Sequence, residues 1–250
     1  MYEDSIEIIP LAPLPEVEAG ADLGLLLLEA GPTDGFLPGD LVVVAQKVVS
    51  KSEGAVVDLG EVSPSARASE IAAESGRDPR LIEVILQQAR RIVKFERGVL
   101  ITETHHGLVC ANSGVDASNV PGDERVSVLP VDPDGSALAI RKVLEQSAGG
   151  RVGVIISDSF NRPWREGSIN VAIGVSGFKP LQDRRGESDD YGRPLRATVV
   201  SVADEIASAA QLVIGETGRR PAAIVRGYSY DRSDGSGRDL MRDPATDLFR

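Results

Sequence analysis

One cysteine stands in 250 residues, Cys110. A single thiol closes no intrachain disulfide and builds no cysteine metal cluster, and such sparing use suits a reducing interior. Histidine is nearly as scarce. His105 and His106 are the only two, and they form no His-Glu-x-x-His pair for zinc. Apolar runs are short: Leu23-Gly24-Leu25-Leu26-Leu27-Leu28 falls well below the ~18 residues of a membrane span. The opening Met1-Tyr2-Glu3-Asp4 is acidic, unlike a secretory signal. Basic charge is in deficit, with 27 Lys and Arg against 38 Asp and Glu, a net −11. That argues against a dedicated nucleic-acid binder, which would need a basic face. No Gly-x-x-x-x-Gly-Lys loop is present, and no Gly-x-Gly-x-x-Gly opens a helix, so the usual nucleotide loops are absent.

What remains is ample apolar material. Hydrophobic residues make up 42% and charged ones 26%, values of the ordinary globular range that argue against long disorder, collagen or coiled coil. The length accommodates one or two domains. With no internal repeat or low-complexity linker, we read one unit over 1–250, divisible at most into two structural subdomains. We expect a cytoplasmic enzyme-sized protein.

The pattern predicts a strand over Ile6–Ile9 and a helix capped by Asp22 that runs to Leu28 and stops at Gly31-Pro32. The β-branched run Leu41–Val49 predicts a strand. Ser63-Pro64 predicts a helix start, continuing to Ser75 before Gly76. Asp78-Pro79 repeats the device, with Leu81, Val84, Ile85 and Ala89 on one face. Strands are expected at Val99–Glu103 and Leu108–Ala111, with His105-His106-Gly107 as their turn, and at Val126–Leu129. Asp134 is expected to cap a helix through Leu144. Val152–Ile156 is continuously apolar, as in a strand buried on both faces. A strand over Ala197–Val202, a helix over Ala203–Val213 and a strand over Ala222–Val225 complete the order. Gln182–Arg196 has no apolar period and reads as a loop. Mixed order without strict alternation favours α+β over a doubly wound sheet.

Four segments could carry chemistry, each with a plainer alternative. In Asn112–Asn119, Asp116 offers a carboxylate for a divalent metal and Asn119 an amide for a nucleotide; the same residues suit an Asx turn. Asp158, read at the end of a buried strand, is placed where open sheets hold metals and phosphates. Ser159 could share the cation, and Arg162 and Arg165 could meet an anion; Asp158 could instead cap a turn. Gly215 to Pro221 could lay backbone amides against phosphate, with Glu216 adding a ligand, or Gly215 could be a simple helix cap. Lys51 could hold a phosphate or stand in solvent. Cys110, among apolar neighbours, reads as a small core residue.

Taken in order, the segments resemble one family. They are Leu14-Pro15-Glu16-Val17, Gly39-Asp40, Val49-Ser50-Lys51-Ser52-Glu53-Gly54, Gly114-Val115-Asp116-Ala117-Ser118-Asn119-Val120 and Pro130-Val131-Asp132-Pro133-Asp134-Gly135-Ser136. Asp158 with Arg162, Tyr191-Gly192, Val202-Ala203-Asp204-Glu205-Ile206-Ala207 and Val225-Arg226-Gly227 complete the set. The family is that of the coenzyme F-420-0:L-glutamate ligases, the γ-glutamyl ligases of F-420 biosynthesis, and the likeness covers nearly the whole chain. It implies an α+β fold and an intertwined homodimer whose interface shapes the active-site cleft. It implies a GTP-dependent ligase that joins L-glutamate to the coenzyme's carboxylate through an acyl phosphate, with further γ-linked glutamates as an extension.

The resemblance also implies divalent ions, Mg²⁺ or Mn²⁺, two in number, with a monovalent cation such as K⁺ as a further candidate. Asp116, Asp158 and Arg162 would be catalytic. Asp116 and Asp158 would hold one ion, Ser159 and Glu216 a second. The nucleotide would meet Leu14, Pro15, Glu16, Val17, Gln46, Lys51, Asn119, Ile214, Gly215, Thr217, Gly218, Arg219, Arg220 and Pro221. Two departures stand out: several relatives have threonine at the place of Ser159, and Thr217-Gly218-Arg219-Arg220 is poorer in glycine and more basic than in archaeal relatives. The nitroreductase-like half of actinobacterial relatives is lacking, so the chain resembles the stand-alone form. A metal-dependent phosphohydrolase or phosphotransferase could use the same acidic residues, and a non-catalytic nucleotide-binding protein is the third reading.

Overall fold

The computed structural model describes residues 5–248. Its centre is a five-stranded sheet of β1 (Glu7–Pro10), β12 (Ala222–Arg226), β2 (Leu41–Ala45), β8 (Gly153–Arg162) and β9 (Arg165–Ser176), in that order. Within this sheet only the β2–β8 pair is parallel. Side-chain alternation decides what covers each face. Leu41, Val43, Ile155, Ala223 and Val225 point to α6 (Val202–Ile214), which packs Val202, Ala203, Ile206, Ala207, Ala210 and Ile214 against them. Val42, Val44, Val154, Ile156, Ala222 and Ile224 point the other way, to α1 (Leu23–Glu29) and α5 (Pro133–Ala148). Each large side chain buried here is worth about 1.5–3 kcal/mol.

A second, smaller core lies beside this sandwich. α3 (Ala66–Ser75) and α4 (Pro79–Gln88) pack Ala68, Ile71, Ile82 and Ile85 with Leu100, Val115 and Val126. The strands around it are the antiparallel pair β3 (Val56–Asp58) and β7 (Arg125–Ser127), and the meander β4 (Ala89–Glu96), β5 (Val99–Thr104), β6 (Val109–Ala111). A short ribbon, β10 (Leu181–Asp183) with β11 (Val199–Ser201), precedes α6. The arrangement is α+β, as expected. No helix among the described residues is long and apolar enough to cross a membrane.

Several expectations need correction. The run Leu41–Val49 is not one strand: the chain leaves β2 at Ala45 and turns into α2 (Gln46–Ser52). Val48 and Val49 satisfy either pattern, so β-branching alone misled. The helix expected from Ser63-Pro64 is capped two residues later by Ser65, whose hydroxyl accepts from Ala68 N. Ala89 closes α4 and opens β4, a strand that polar Arg90 and Arg91 concealed. Asp132, not Asp134, caps α5. Asp134 instead accepts from Val175 N at 2.7 Å and from Gly237 N at 2.8 Å, pinning the C-terminal segment to β9. Gln182 and Asp183 belong to β10.

Two motif fragments prove to be one structural device. Asp40 is 1% exposed, and both its oxygens accept from Arg226, Nε and Nη2, at 2.9 Å. The adjoining Gly227 has φ +89, and a Cβ there would stand 2.3 Å from the Ser5 carbonyl oxygen. Gly39-Asp40 and Arg226-Gly227 therefore clamp β2 to β12.

Candidate active site beside strands β2 and β8

At the C-terminal end of β2 the chain veers into α2, while β8 runs on beyond its last parallel partner, Ser157 opposite Ala45. This is where a parallel pair opens a crevice. A cleft of about 800 Å³ fills it, walled by α2, the Leu14–Val17 turn, the Asn112–Pro121 segment, β8 and the Ile214–Pro221 loop.

Asp158 is not at a strand end. It is the first residue of β8 past the β2 pairing, within a ten-residue strand that continues as a two-stranded arm with β9. The apolar run stops at Ile156, although Ser157, the last residue opposite β2, is still only 1% exposed. A register shift follows Ile156, where Ile173 of β9 is skipped. Ala172 N beside this bulge donates to Asp204 at 2.9 Å. Bulges commonly re-aim side chains next to sites.

Strand alternation then splits the polar groups into two clusters. On the α2 side, Asp158 faces Asp116 and Lys47. Burial pushes the Asp158 carboxyl up to about 6, helped by the Asp116 charge and opposed by Ser159 N and Lys47. Asp116 is also penalised by burial, but hydrogen bonds from Lys47, Ser118 N and Ser118 Oγ hold it below its usual value. Its Oδ2 lies 2.7 Å from Lys47 Nζ. Cys110 borders this cluster. Burial, with the Asp158 charge, pushes its thiol up to about 12, so it packs and does not attack.

On the α6 side, Ser159 Oγ donates to Asn170 Oδ1 at 2.8 Å. Asn170 Nδ2 donates to Gln211 Oε1 at 2.8 Å, and Gln211 Nε2 to Glu216 Oε1 at 2.7 Å. Ser159 and Glu216 are thus joined through two amides. Asn170 is only 4% exposed, and its backbone carbonyl also accepts from Ser208 Oγ. Asn170→Ala would leave Ser159 and half-buried Gln211 each short of a partner, a loss of roughly 1 kcal/mol or more. A urea midpoint unchanged from wild type would contradict this.

The glycine-bearing loop is held at both ends. Leu14 N donates to the Arg219 carbonyl at 2.8 Å, and Ala45 N to that of Pro221 at 2.7 Å. Gly215, Gly218 and Arg219 take positive φ, which winds the backbone around the cleft mouth. Leu14 and Val17 are buried, while Glu16 reaches Lys51 Nζ at 2.6 Å. Asn119, also at positive φ, lines the opposite wall. Gln46 borders the cleft, yet its buried amide donates to Ser50 Oγ and the Val128 carbonyl.

Apart from Arg162 and Arg165, every residue expected at the site lines this one cleft. Arg162 does not. Its Nη2 donates to the Glu166 carbonyl at 2.9 Å, inside the β8–β9 hairpin. The two histidines part company: His105 meets the Gln87 carbonyl and His106 that of Pro130. Sequence reasoning missed Lys47, Asn170 and Gln211. Lys47 stands one helical turn before Lys51, a spacing visible only once α2 is known to be a helix. Asn170 lies on β9, which no expectation covered.

Cleft polarity matters for metal binding. Among the described residues no three His, Cys, Asp or Glu side chains gather as a preformed metal site. Two carboxylates that share one ammonium are nevertheless a donor set of hard oxygens, the kind Mg²⁺ and Mn²⁺ take when substrate and water complete the shell.

Similarity to known proteins points to one family. Residues 12–227 match the family model described as F420-0:Gamma-glutamyl ligase. The chain is 45% identical over 250 residues to the "Coenzyme F420:L-glutamate ligase" of Methanothermobacter thermautotrophicus, covering 98% of this chain and 99% of that one. It is 46% identical over 247 residues to the protein of the same name from Methanocaldococcus jannaschii, covering 98% and 97%. The Archaeoglobus fulgidus protein of that name is 40% identical over 248 residues, covering 98% and 96%. With the match spanning the β2–β8 cleft and nearly the full length of each relative, this chain belongs to the F420-0:gamma-glutamyl ligase family.

Proposed function

We propose that this protein is an acid–amino-acid ligase that joins the amine of L-glutamate to the carboxylate of coenzyme F420-0, driven by GTP. The observation that carries the reading is the single cleft: it gathers the Leu14–Val17 turn, Lys51, Asn119 and the Ile214–Pro221 loop around Asp116 and Asp158, in a chain of this family. A carboxylate does not react with an amine in water. Transfer of the γ-phosphoryl group of GTP to the acceptor oxygen forms an acyl phosphate and releases GDP. The amine nitrogen then attacks the carbonyl carbon, the C–O bond to phosphate breaks, and phosphate leaves as the amide forms. The amine gives up its proton to solvent on the way.

Such transfer depends on positioning and charge neutralisation. Asp116 and Asp158 would hold one Mg²⁺ or Mn²⁺, and Ser159 with Glu216 a second. When bound, these ions supply the positive charge that lets phosphates approach two carboxylates. The wound Gly215–Pro221 backbone presents amides to a phosphate, and Lys51 reaches the same wall. Repetition on the newly added glutamate, a homodimer, a further K⁺ and a cytoplasmic setting belong to this proposal.

The test is mass spectrometry of one reaction containing purified protein, F420-0, L-glutamate, GTP and Mn²⁺. The expected product is heavier by glutamyl residues, with GDP released in step. GDP without a heavier product would replace the ligase by a phosphohydrolase. Absence of GDP would leave a binding protein.

A further inference from the structure

Lys47 belongs to the acidic cluster, and the ligase reading leaves it without a task. Its ammonium bonds Asp116 Oδ2 at 2.7 Å and also meets Ser118 Oγ. Both partners sit on the same short turn, and Asp158 feels its charge as well. Lys47 stands in the first turn of α2, and its side chain is 23% exposed. Its bonds among the described residues all go to this one turn, so its four-carbon stem is free to swing once Asp116 is taken.

Charge balance then favours an anion. Two carboxylates and one ammonium leave the cluster with one net negative charge, a poor host for a phosphate or carboxylate. A dication entering between Asp116 and Asp158 turns that into one net positive charge, provided the ammonium stays in the cleft. The displaced ammonium then lacks an anion, and an unpaired cation in a half-buried site is costly. The anionic substrate group supplies the missing partner.

We propose that Lys47 stands in for the divalent ion in the ligand-free protein, competes with it for Asp116, and on displacement becomes a catalytic residue that pairs with the anionic oxygens of the substrate. The proposal rests on the metal reading of Asp116 and Asp158 given above.

The experiment titrates Mn²⁺ alone into substrate-free wild-type, Lys47→Met and Lys47→Arg proteins by calorimetry, and measures ligation separately. Lys47→Met removes the competitor, so Mn²⁺ should bind about 5–20-fold tighter, as expected for one screened charge at contact distance. Turnover should fall about 100-fold, as for other single charge-stabilising donors. Lys47→Arg keeps the charge and should bind Mn²⁺ like wild type. A purely structural lysine would weaken metal binding and turnover together, and that result overturns the proposal. So does unchanged turnover in Lys47→Met. Wild-type binding with no gain in Lys47→Met overturns the role of Lys47 alone. Absence of Mn²⁺ binding in all three proteins overturns the metal reading and this proposal with it. Should Lys47→Met fold poorly, Lys47→Gln serves in its place, with thermal unfolding as the check.

Discussion

Asp158→Asn is expected to lower ligation roughly a thousandfold while making the ligand-free protein more stable. The first effect follows from removing one of two carboxylates that face each other in the cleft; loss of a single charge-stabilising group commonly costs about 10²–10³ in rate. The second follows from burial. Desolvation pushes the Asp158 carboxyl up to about 6 from an ordinary 3.8, so at neutral pH the folded protein holds a charge that the unfolded chain keeps more cheaply in water. A shift of about two pH units corresponds to roughly 1–3 kcal/mol. The sign is fixed by the direction of the shift. Below about pH 4 the carboxyl is protonated in both states and the penalty is absent. It grows between about pH 4 and 6 and is complete above that range. The amide variant should therefore melt a few degrees above wild type at about pH 7.5, and its advantage should vanish near pH 4. Thermal scans at the two pH values read this directly. Near-normal ligation by Asp158→Asn would remove the carboxylate from the mechanism, and equal melting at the higher pH would refute the burial account.

Arg226→Leu should be the most damaging change outside the cleft, lowering stability by about 3–5 kcal/mol. The guanidinium serves both oxygens of buried Asp40, the Asp34 carboxylate at 2.6 Å and the Gly35 carbonyl. Leucine would strand Asp40 with only Leu37 N as donor among the described residues. The double variant Asp40→Leu with Arg226→Leu should recover much of the loss, since no charge is left unpaired between the two positions. Denaturant midpoints of wild type, the two single variants and the double variant give the coupling. Additive losses would mean that the pair does not act as a unit.

The order-preserving motifs divide into two kinds that look alike in sequence. Asp116, Asp158 and the Gly215–Pro221 stretch meet in the cleft. Asp40, Asp132, Asp134 and Asp204 do not: each spends its carboxylate on backbone amides, serine hydroxyls or Arg226, at a clamp, a helix cap, a C-terminal staple and a bulge. An aspartate beside glycine or proline carries the same local signature in both cases. Which one it is depends on whether its oxygens find donors across the fold, and those donors lie up to 186 residues away in sequence.

Strong local chemistry was legible along the chain. Asp22 and Asp78 cap their helices, Gly76 ends α3 in the left-handed conformation, and the His105–Gly107 turn joins two strands. These features rest on steric and hydrogen-bonding preferences between near neighbours. The apolar period likewise marked α6 and β12. Elements whose identity depends on partners were not legible. The outer half of β8 and the first half of β9 are polar because they pair only with each other, and α2 follows β2 directly, with β-branched Val48 and Val49 resuming the apolar pattern after only Ala45, Gln46 and Lys47.

The family, the α+β class and the acidic residues around which a site could form were therefore all readable from residue type and order. That β2 ends one residue before Gln46 while β8 runs on was not, and it emerges only when the strands pair. This mismatch opens the cleft, uncovers Asp158 and Ser159 on the two sides of one strand, and sets the Lys47 ammonium against Asp116. Such outcomes belong to three dimensions, because a charge's neighbours are chosen by packing across the sheet and not by position along the chain.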